Sequence, residues 1–342
     1  MEVIYLNYVA IRAGGNKNQG LGHVARCISL AQELIFNNFK VFFLIDDDTY
    51  IIDFLNKHRF EYKSLTSKNL NLEIKETKKI IKDLNIDLLI TDSYNLNNFY
   101  FKEMKNTVKY LVSIDDTNLY DYISDIVINY NIYAHKLNYK FNDETRYLLG
   151  CNYCLFRKEF QENDYISINK TCTNVLITMG GTDVNNYTYT ILKYLYEFNY
   201  INFNVIINEK FNNLNKLKAL ASCKSNINLI FNPDNMKSIM LKNDIAISAS
   251  GSTAYELLSL SIPSILIIQA DNQELICKEL SNINTCIYGG WFYELTEDKF
   301  NEIFAKLTNN YEFRKSISDN CKGVVCKTGV KNVVNEIKKL FK

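Results

Sequence analysis

The chain is poor in proline and histidine and has no surplus of either charge. Two prolines and three histidines occur in 342 residues. The low proline content, beside abundant Asn, Lys and Ile, reflects codon bias rather than function. Lys and Arg total 39 against 38 Asp and Glu, a net charge of +1. That balance lacks the basic excess that advertises nucleic-acid binding, and no acidic tail forms a solvated arm. The apolar runs "DIAISAS" and "PSILIIQA" are of strand length, too short to span a membrane. The opening "MEVIYLNYVAIRAGG" has neither a basic n-region nor a small-residue cleavage site, so a cytoplasmic protein is expected. His58 and His135 sit among polar residues, and neither clusters with His23 as a metal site would require. Cys151 and Cys154 have a redox or half-zinc spacing, but no second pair completes it. Nine cysteines, odd in number and scattered, suit reduced thiols. P-loop, zincin and serine-hydrolase elbow motifs are missing too, as are low-complexity segments and short-period repeats.

What is present is length, apolar content and alternation. The length exceeds one ordinary core, and 47% hydrophobic residues suffice for two. "VIYLNYVAI" reads as a strand, "VARCISLAQELIFNN" as a helix, "KVFFLI" as a strand and "LEIKETKKIIKDLN" as a helix. The strands "IDLLIT", "VKYLVSI" and "DIVIN" follow. The polar stretch 157–173 breaks the rhythm, which restarts with "NVLITM" and a helix from about Asn185. "NFNVII", "INLIF", "DIAIS", "TAYELLSL" and "SILII" continue it. Continuous apolar strands between amphipathic helices predict parallel sheets covered on both faces. The expected architecture is α/β: two Rossmann-type domains, 1–160 and 161–342, with parallel sheets facing an interdomain cleft.

"QGLGHVARC" admits two readings. Gly20-x-Gly22-x-x-Ala25 matches a loose dinucleotide fingerprint, and "IDDD" supplies acids about 20 residues further on. Yet "RAGGNKNQ" separates strand from helix, whereas a dinucleotide fold turns directly off the strand. The other reading delivers His23, in the first turn of a helix, as a proton acceptor, with Gly20 and Gly22 allowing close approach. A histidine that merely caps or packs is the plainer alternative. Asp46, Asp47 and Asp48 read as a solvated strand end. Arg12, ending the first strand, is a candidate for approaching a diphosphate, whereas Arg26 is expected to pair with an acid.

In the second half, Gly180 and Gly181 directly follow a strand, with Thr182 or Asp183 as the next helix's N-cap. Such a turn suits a phosphate. "AISASGSTAYE" runs a strand into Ser250, Gly251 and Ser252 and opens a helix carrying Glu256, suited to ribose hydroxyls. One strand later come Asp271, Asn272 and Gln273. A phosphate turn, a ribose acid and an amide pair along one sheet edge read as a nucleotide-sugar site. Trp291 either lines that site or packs.

These residues lie in segments that resemble a family across nearly the whole chain. "IRAGGNKNQGLGHVARCISLAQEL", "LLITDSYNL", "VSIDDT", "YLLGCNYCLFRKEF", "ITMGGTD", "NMKSIMLKNDIAISASGSTAYELLSLSIPSILIIQADNQE" and "YGGW" carry the resemblance. The sequence is similar to the UDP-sugar hydrolase of pseudaminic acid biosynthesis and to spore-coat polysaccharide proteins. Both are cousins of the GT-B glycosyltransferase that makes the peptidoglycan lipid intermediate. The resemblance implies a UDP-sugar substrate, no metal or other cofactor, and His23 as the base that activates water. It places Tyr94 near the sugar, Glu256 on the ribose, Asn272 and Gln273 along sugar and diphosphate, and Ile230 and Phe231 beside the uracil. Two positions depart from the family pattern: Gly14 stands for an aspartate and Ser93 for a histidine. The spore-coat branch also has Gly-Gly at the first loop. An inverting glycosyltransferase is the alternative, since the same base serves an acceptor hydroxyl. A non-catalytic nucleotide-sugar binder is a further rival. No nucleic-acid partner and no membrane span are expected, and the oligomeric state is not encoded in any motif.

Overall fold

The computed structural model describes residues 7–15, 20–67, 69–181, 183, 185–209 and 211–342. The chain divides into two compact units, Met1–Lys158 with Thr328–Lys342, and Glu159–Lys327.

The first unit is built on seven parallel strands: β1 (Asn7–Ala13), β2 (Phe39–Asp46), β3 (Tyr62–Leu65), β4 (Leu88–Asp92), β5 (Tyr110–Ile114), β6 (Ile126–Asn129) and β7 (Arg146–Leu149). Their order is β3-β2-β1-β4-β5-β6-β7, so the direction of winding reverses between β1 and β4. Register pairs Ala13 with Asp92 and Arg12 with Thr91. Helices α1 (Gly22–Phe36), α2 (Thr49–Lys57), α3 (Leu70–Asp83) and α4 (Asn98–Lys105) make the crossovers. Val9, Ala10, Ile11, Leu88, Leu89 and Ile90 are fully buried, as expected of central parallel strands whose two faces are both covered.

The second unit repeats the plan with six strands: β8 (Asn174–Thr178), β9 (Asn202–Ile207), β10 (Ile227–Phe231), β11 (Ile245–Ala249), β12 (Ser264–Ile268) and β13 (Ile287–Trp291). The order is β10-β9-β8-β11-β12-β13, with the reversal between β8 and β11. Its helices are α5 (Tyr187–Tyr194), α6 (Leu214–Cys223), α7 (Met236–Met240), α8 (Ser252–Ser259), α9 (Asp271–Asn282), α10 (Glu297–Asn309) and α11 (Tyr311–Cys321). The two Rossmann-type parallel sheets expected from the apolar runs are thus present.

The last helix, α12 (Gly329–Leu340), joins the first unit, so the linear assignment of 161–342 to one domain does not describe its tail. The physical reason is an apolar stripe, Val330, Val333, Val334 and Ile337, that needs a partner surface. It packs against α1 and the short turn Cys151–Tyr153. Gly329 permits that approach: a Cβ there would lie 2.4 Å from the Cys154 carbonyl oxygen. Strands β3, β7 and β13 did not stand out in the sequence. They are short or end a sheet, and Tyr62–Leu65 carries a lysine and a serine among four residues.

Candidate active site

The site in the first unit grows from α1, which starts without a side-chain cap behind Leu21. Gly20 adopts φ +80°, and both it and Gly22 face open space where a side chain would project. Such a conformation favours glycine. His23 follows in the first turn, one turn before Arg26. Both side chains reach the carboxyl end of β4, where Asp92 is buried to 1% exposure.

His23 Nδ1 lies 2.7 Å from Asp92 Oδ1. Arg26 donates to the same carboxylate twice, Nη2 to Oδ1 and Nε to Oδ2, each at 2.6 Å. It also donates to both oxygens of Asp116, each at 2.9 Å, and to the Tyr130 hydroxyl at 3.2 Å. The Cys27 thiol completes the shell of Asp92 at 3.3 Å. Burial alone would raise the Asp92 carboxyl, but Arg26 and His23 outweigh it and hold the group well below the usual carboxylate range. Asp116 is held down in the same way, burial again opposing and Arg26 prevailing. An ionised Asp92 only accepts, so the network assigns the His23 proton to Nδ1 and the lone pair to Nε2. Arg26 Nη2, 3.0 Å from His23 Nδ1, is then a second donor sharing one carboxylate oxygen.

Tyr94 stands over this pair. Its ring meets His23 edge-on with centroids 4.6 Å apart, and its hydroxyl donates to Asp116 Oδ2 at 2.8 Å. At 40% exposure it is open to a ligand. Gly14 and Ser93, the two departures from the family pattern, touch each other: a Cβ on Gly14 would lie 2.6 Å from Ser93 Oγ.

Arg12 does not belong to a ligand site. It is fully buried, with Nε on Glu73 at 2.8 Å, Nη2 on Asp46 at 2.6 Å and Nη1 on the Ala13 carbonyl. With its guanidinium satisfied inside the unit, the expectation that it approaches a diphosphate is corrected to a core cation tying β1 to β2 and α3. Asp46 is accordingly its partner, and Asp48 caps α2 by accepting from Tyr50 N–H.

In the second unit the adjacent strands β8, β11 and β12 end in the predicted turns. Gly180 adopts φ +85°, and Asn208, after β9, donates to the Gly181 carbonyl at 3.0 Å. Thr182 lies outside the described residues. Asp183 accepts from Tyr187 N–H at 2.8 Å and Thr188 N–H at 2.9 Å, securing the start of α5. Helices α8 and α9 start behind Gly251 and Ala270 with no side-chain cap. Their leading N–H groups therefore keep a partial positive charge directed at the sheet edge. Gln269 and Gln273 knit the strand ends together. Gln273 Oε1 accepts from Gln269 N–H at 3.0 Å, and its Nε2 lies 3.9 Å from where a Gly251 Cβ would project. Gln269 Nε2 lies 3.1 Å from Met179 Sδ, just past β8.

Ser252 and Asn272 are exposed, and Glu256 is half-buried one turn into α8. Ser250 is different. It is fully buried, and its hydroxyl donates to the Ile267 carbonyl at 3.2 Å. The expected ligand contact through that hydroxyl is corrected: it secures β11 to β12. Ile230 and Phe231 end the edge strand β10, with β9 between them and the Gly180 turn. His58 and His135 are exposed. Sequence reasoning missed Asp92 and Asp116: it paired Arg26 with an acid but did not identify these two. The available signal was an acid at the end of "LLITD" and another just past "LVSI", two neighbouring parallel strands, with an arginine one helical turn after His23.

Residues 174–333 match the Glycosyltransferase family 28 C-terminal domain. Over 332 residues the chain is 30% identical to the uncharacterized protein MJ1062 of Methanocaldococcus jannaschii, spanning 90% of this chain and 67% of that one. The chain belongs to the same family as MJ1062. It is 28% identical over 271 residues to the UDP-2,4-diacetamido-2,4,6-trideoxy-beta-L-altropyranose hydrolase of Campylobacter jejuni, covering 78% of this chain and 93% of the hydrolase. It is 22% identical to the spore coat polysaccharide biosynthesis protein SpsG of Bacillus subtilis, over 98% of both chains. Among solved structures it resembles MurG of Acinetobacter baumannii, with a TM-score of 0.71 at 13% identity over 97% of this chain and 99% of MurG. The fold is GT-B. The family 28 match begins at β8 and takes in the turns at Gly180, Gly251 and Asp271. Among the described residues no helix is long and apolar enough to cross a membrane.

Proposed function

We propose that the chain is a cytoplasmic hydrolase that releases UDP from a UDP-activated diacetamido-trideoxy sugar in the synthesis of pseudaminic or a related nonulosonic acid. The observation that carries this reading is the 2.7 Å contact between His23 Nδ1 and buried Asp92, which reserves Nε2 for accepting a proton. The hydrolase relative supports the substrate class. UDP is held by the second unit. Its diphosphate lies on Gly180, Gly181, Gly251 and Ser252, its ribose on Glu256 and its uracil beside Ile230 and Phe231. Asn272 and Gln273 face the sugar and diphosphate. His23 Nε2 takes a proton from water as the water oxygen bonds to the anomeric carbon. The bond from that carbon to the UDP oxygen breaks on the opposite side, so the configuration inverts. Backbone N–H groups and the helix terminus stabilise the charge growing on UDP, each such donor contributing about 3 kcal/mol.

Transfer to an acceptor hydroxyl is the second reading, favoured by the family 28 domain. Incubation of the purified chain with UDP-2,4-diacetamido-2,4,6-trideoxy-β-L-altropyranose in water, followed by assay of free UDP and NMR of the sugar, decides between them. UDP release without acceptor, with an inverted anomer appearing first, is expected. Release only on adding an acceptor would replace hydrolysis with transfer, and binding without release would remove catalysis altogether.

A further inference from the structure

Arg26 touches no atom that reacts in the proposed hydrolysis, yet it makes five side-chain hydrogen bonds to three residues. Two go to Asp92, two to Asp116 and one to Tyr130. The two carboxylates come from different strand ends, β4 and the segment after β5. One guanidinium fork bridges both, a geometry a lysine cannot reproduce. Each bridged carboxylate also holds one member of the His23–Tyr94 pair: Asp92 binds His23, and Asp116 accepts from Tyr94 at 2.8 Å. Asn131 Nδ2 donates to Asp116 Oδ1 at 2.9 Å, and the Tyr133 hydroxyl to the Asp116 carbonyl at 2.8 Å, so Asp116 is itself fixed by the segment after β6.

We infer that Arg26 is a positioning residue: by clamping Asp92 and Asp116 as one unit it sets the His23 tautomer, with Nδ1 protonated, and holds Tyr94 against the His23 ring. The bridge gives His23 and Tyr94 a shared support. Loosening either carboxylate frees the other end, so Arg26→Lys and Asp116→Asn have the same consequence although only one of them changes a residue touching Asp92. The tautomer claim stands on geometry alone; the kinetic claim rests on the hydrolase reading.

The test uses the full chain labelled with 15N-histidine. Long-range 1H–15N spectra near neutral pH read the tautomer, and with three histidines the His23 signals are assigned by their loss in His23→Gln. The wild-type chain is expected to show the Nδ1–H form. Arg26→Lys and Asp116→Asn are expected to show a mixture with the Nε2–H form. UDP release from UDP-2,4-diacetamido-2,4,6-trideoxy-β-L-altropyranose is expected to lose about tenfold or more in kcat with KM within about twofold, because positioning is lost while ground-state binding is kept. UDP affinity and circular dichroism establish that each variant is folded, and two separate variants keep the test open should one not fold. Wild-type tautomer in both folded variants overturns the inference. So does a shifted tautomer with unchanged kcat. If the wild-type chain releases no UDP at all, the hydrolase reading fails and the tautomer spectra alone judge the clamp.

Discussion

At the carboxyl edge of the first sheet, geometry is held by buried ion pairs, Arg12 with Glu73 and Arg26 with Asp92 and Asp116, and by a further bond from Arg12 to the half-buried Asp46. The second sheet, wound in the same way, has no ion pair among the described residues in which both side chains are buried. Its edge is made of a left-handed glycine, uncapped helix starts and two glutamines. The difference fits two tasks. Moving a proton requires a fixed base, and a buried carboxylate fixes a ring well only if a cation keeps it ionised. Holding a diphosphate requires unspent donors, which backbone N–H groups at helix starts supply.

The largest effect that would sharpen this contrast is at the base. His23→Ala should reduce UDP release by about 10²–10⁴-fold while leaving UDP affinity unchanged in a calorimetric titration. A parallel loss of UDP affinity would break the division of labour. Next, Arg12→Met should destabilise the first unit by about 3–5 kcal/mol, because it strands Glu73 inside. Denaturant unfolding measures this, and UDP affinity should not move. The Gly14→Ala and Gly180→Ala variants compare the two edges directly. At Gly14 the new methyl meets Ser93 Oγ at 2.6 Å and its Cα at 3.2 Å, so a cost of about 1–3 kcal/mol is expected, partly recovered by Ser93→Gly. At Gly180 nothing lies within 4 Å, and only the φ of +85° opposes alanine, a cost of about 1–2 kcal/mol with weaker UDP binding.

The smallest effect is in acid. Asp92 and Asp116 have folded pKa values below the unfolded one, so their stabilisation is complete above about pH 4 and is lost as pH falls further. Asp183 is the reverse. Burial raises its carboxyl, so the folded chain holds that proton more tightly and its contribution improves as pH falls towards 4. Replacing Asp92 with Asn should therefore flatten the acid dependence of unfolding, and Asp183→Asn should steepen it. Slopes that change in the same direction would show that the two carboxyls do not differ.

Much of this was legible in the residue order. Parallel sheets could be read from "LLIT", "DIAIS" and "SILII" because strands buried on both faces must be apolar throughout. The glycine turns and His23 could be read because backbone conformation and helix starts are local. Arg12 and Ser250 could not, and of Arg26 only the pairing with an acid was legible, not which acids it joins. An arginine at a strand end looks the same whether it faces a phosphate or two buried acids, and a hydroxyl before a helix looks the same whether it meets a ligand or the Ile267 carbonyl. Residue order alone determined the alternation of strand and helix, the turn chemistry and the charge balance, all set by near neighbours. Only the tertiary structure decided which ions meet, since Arg26 and Asp116 are 90 positions apart, and where α12 packs, since a helix stripe names no partner. Long-range pairing depends on the register of strands β1, β4 and β5 and on burial, and neither is written within any one segment.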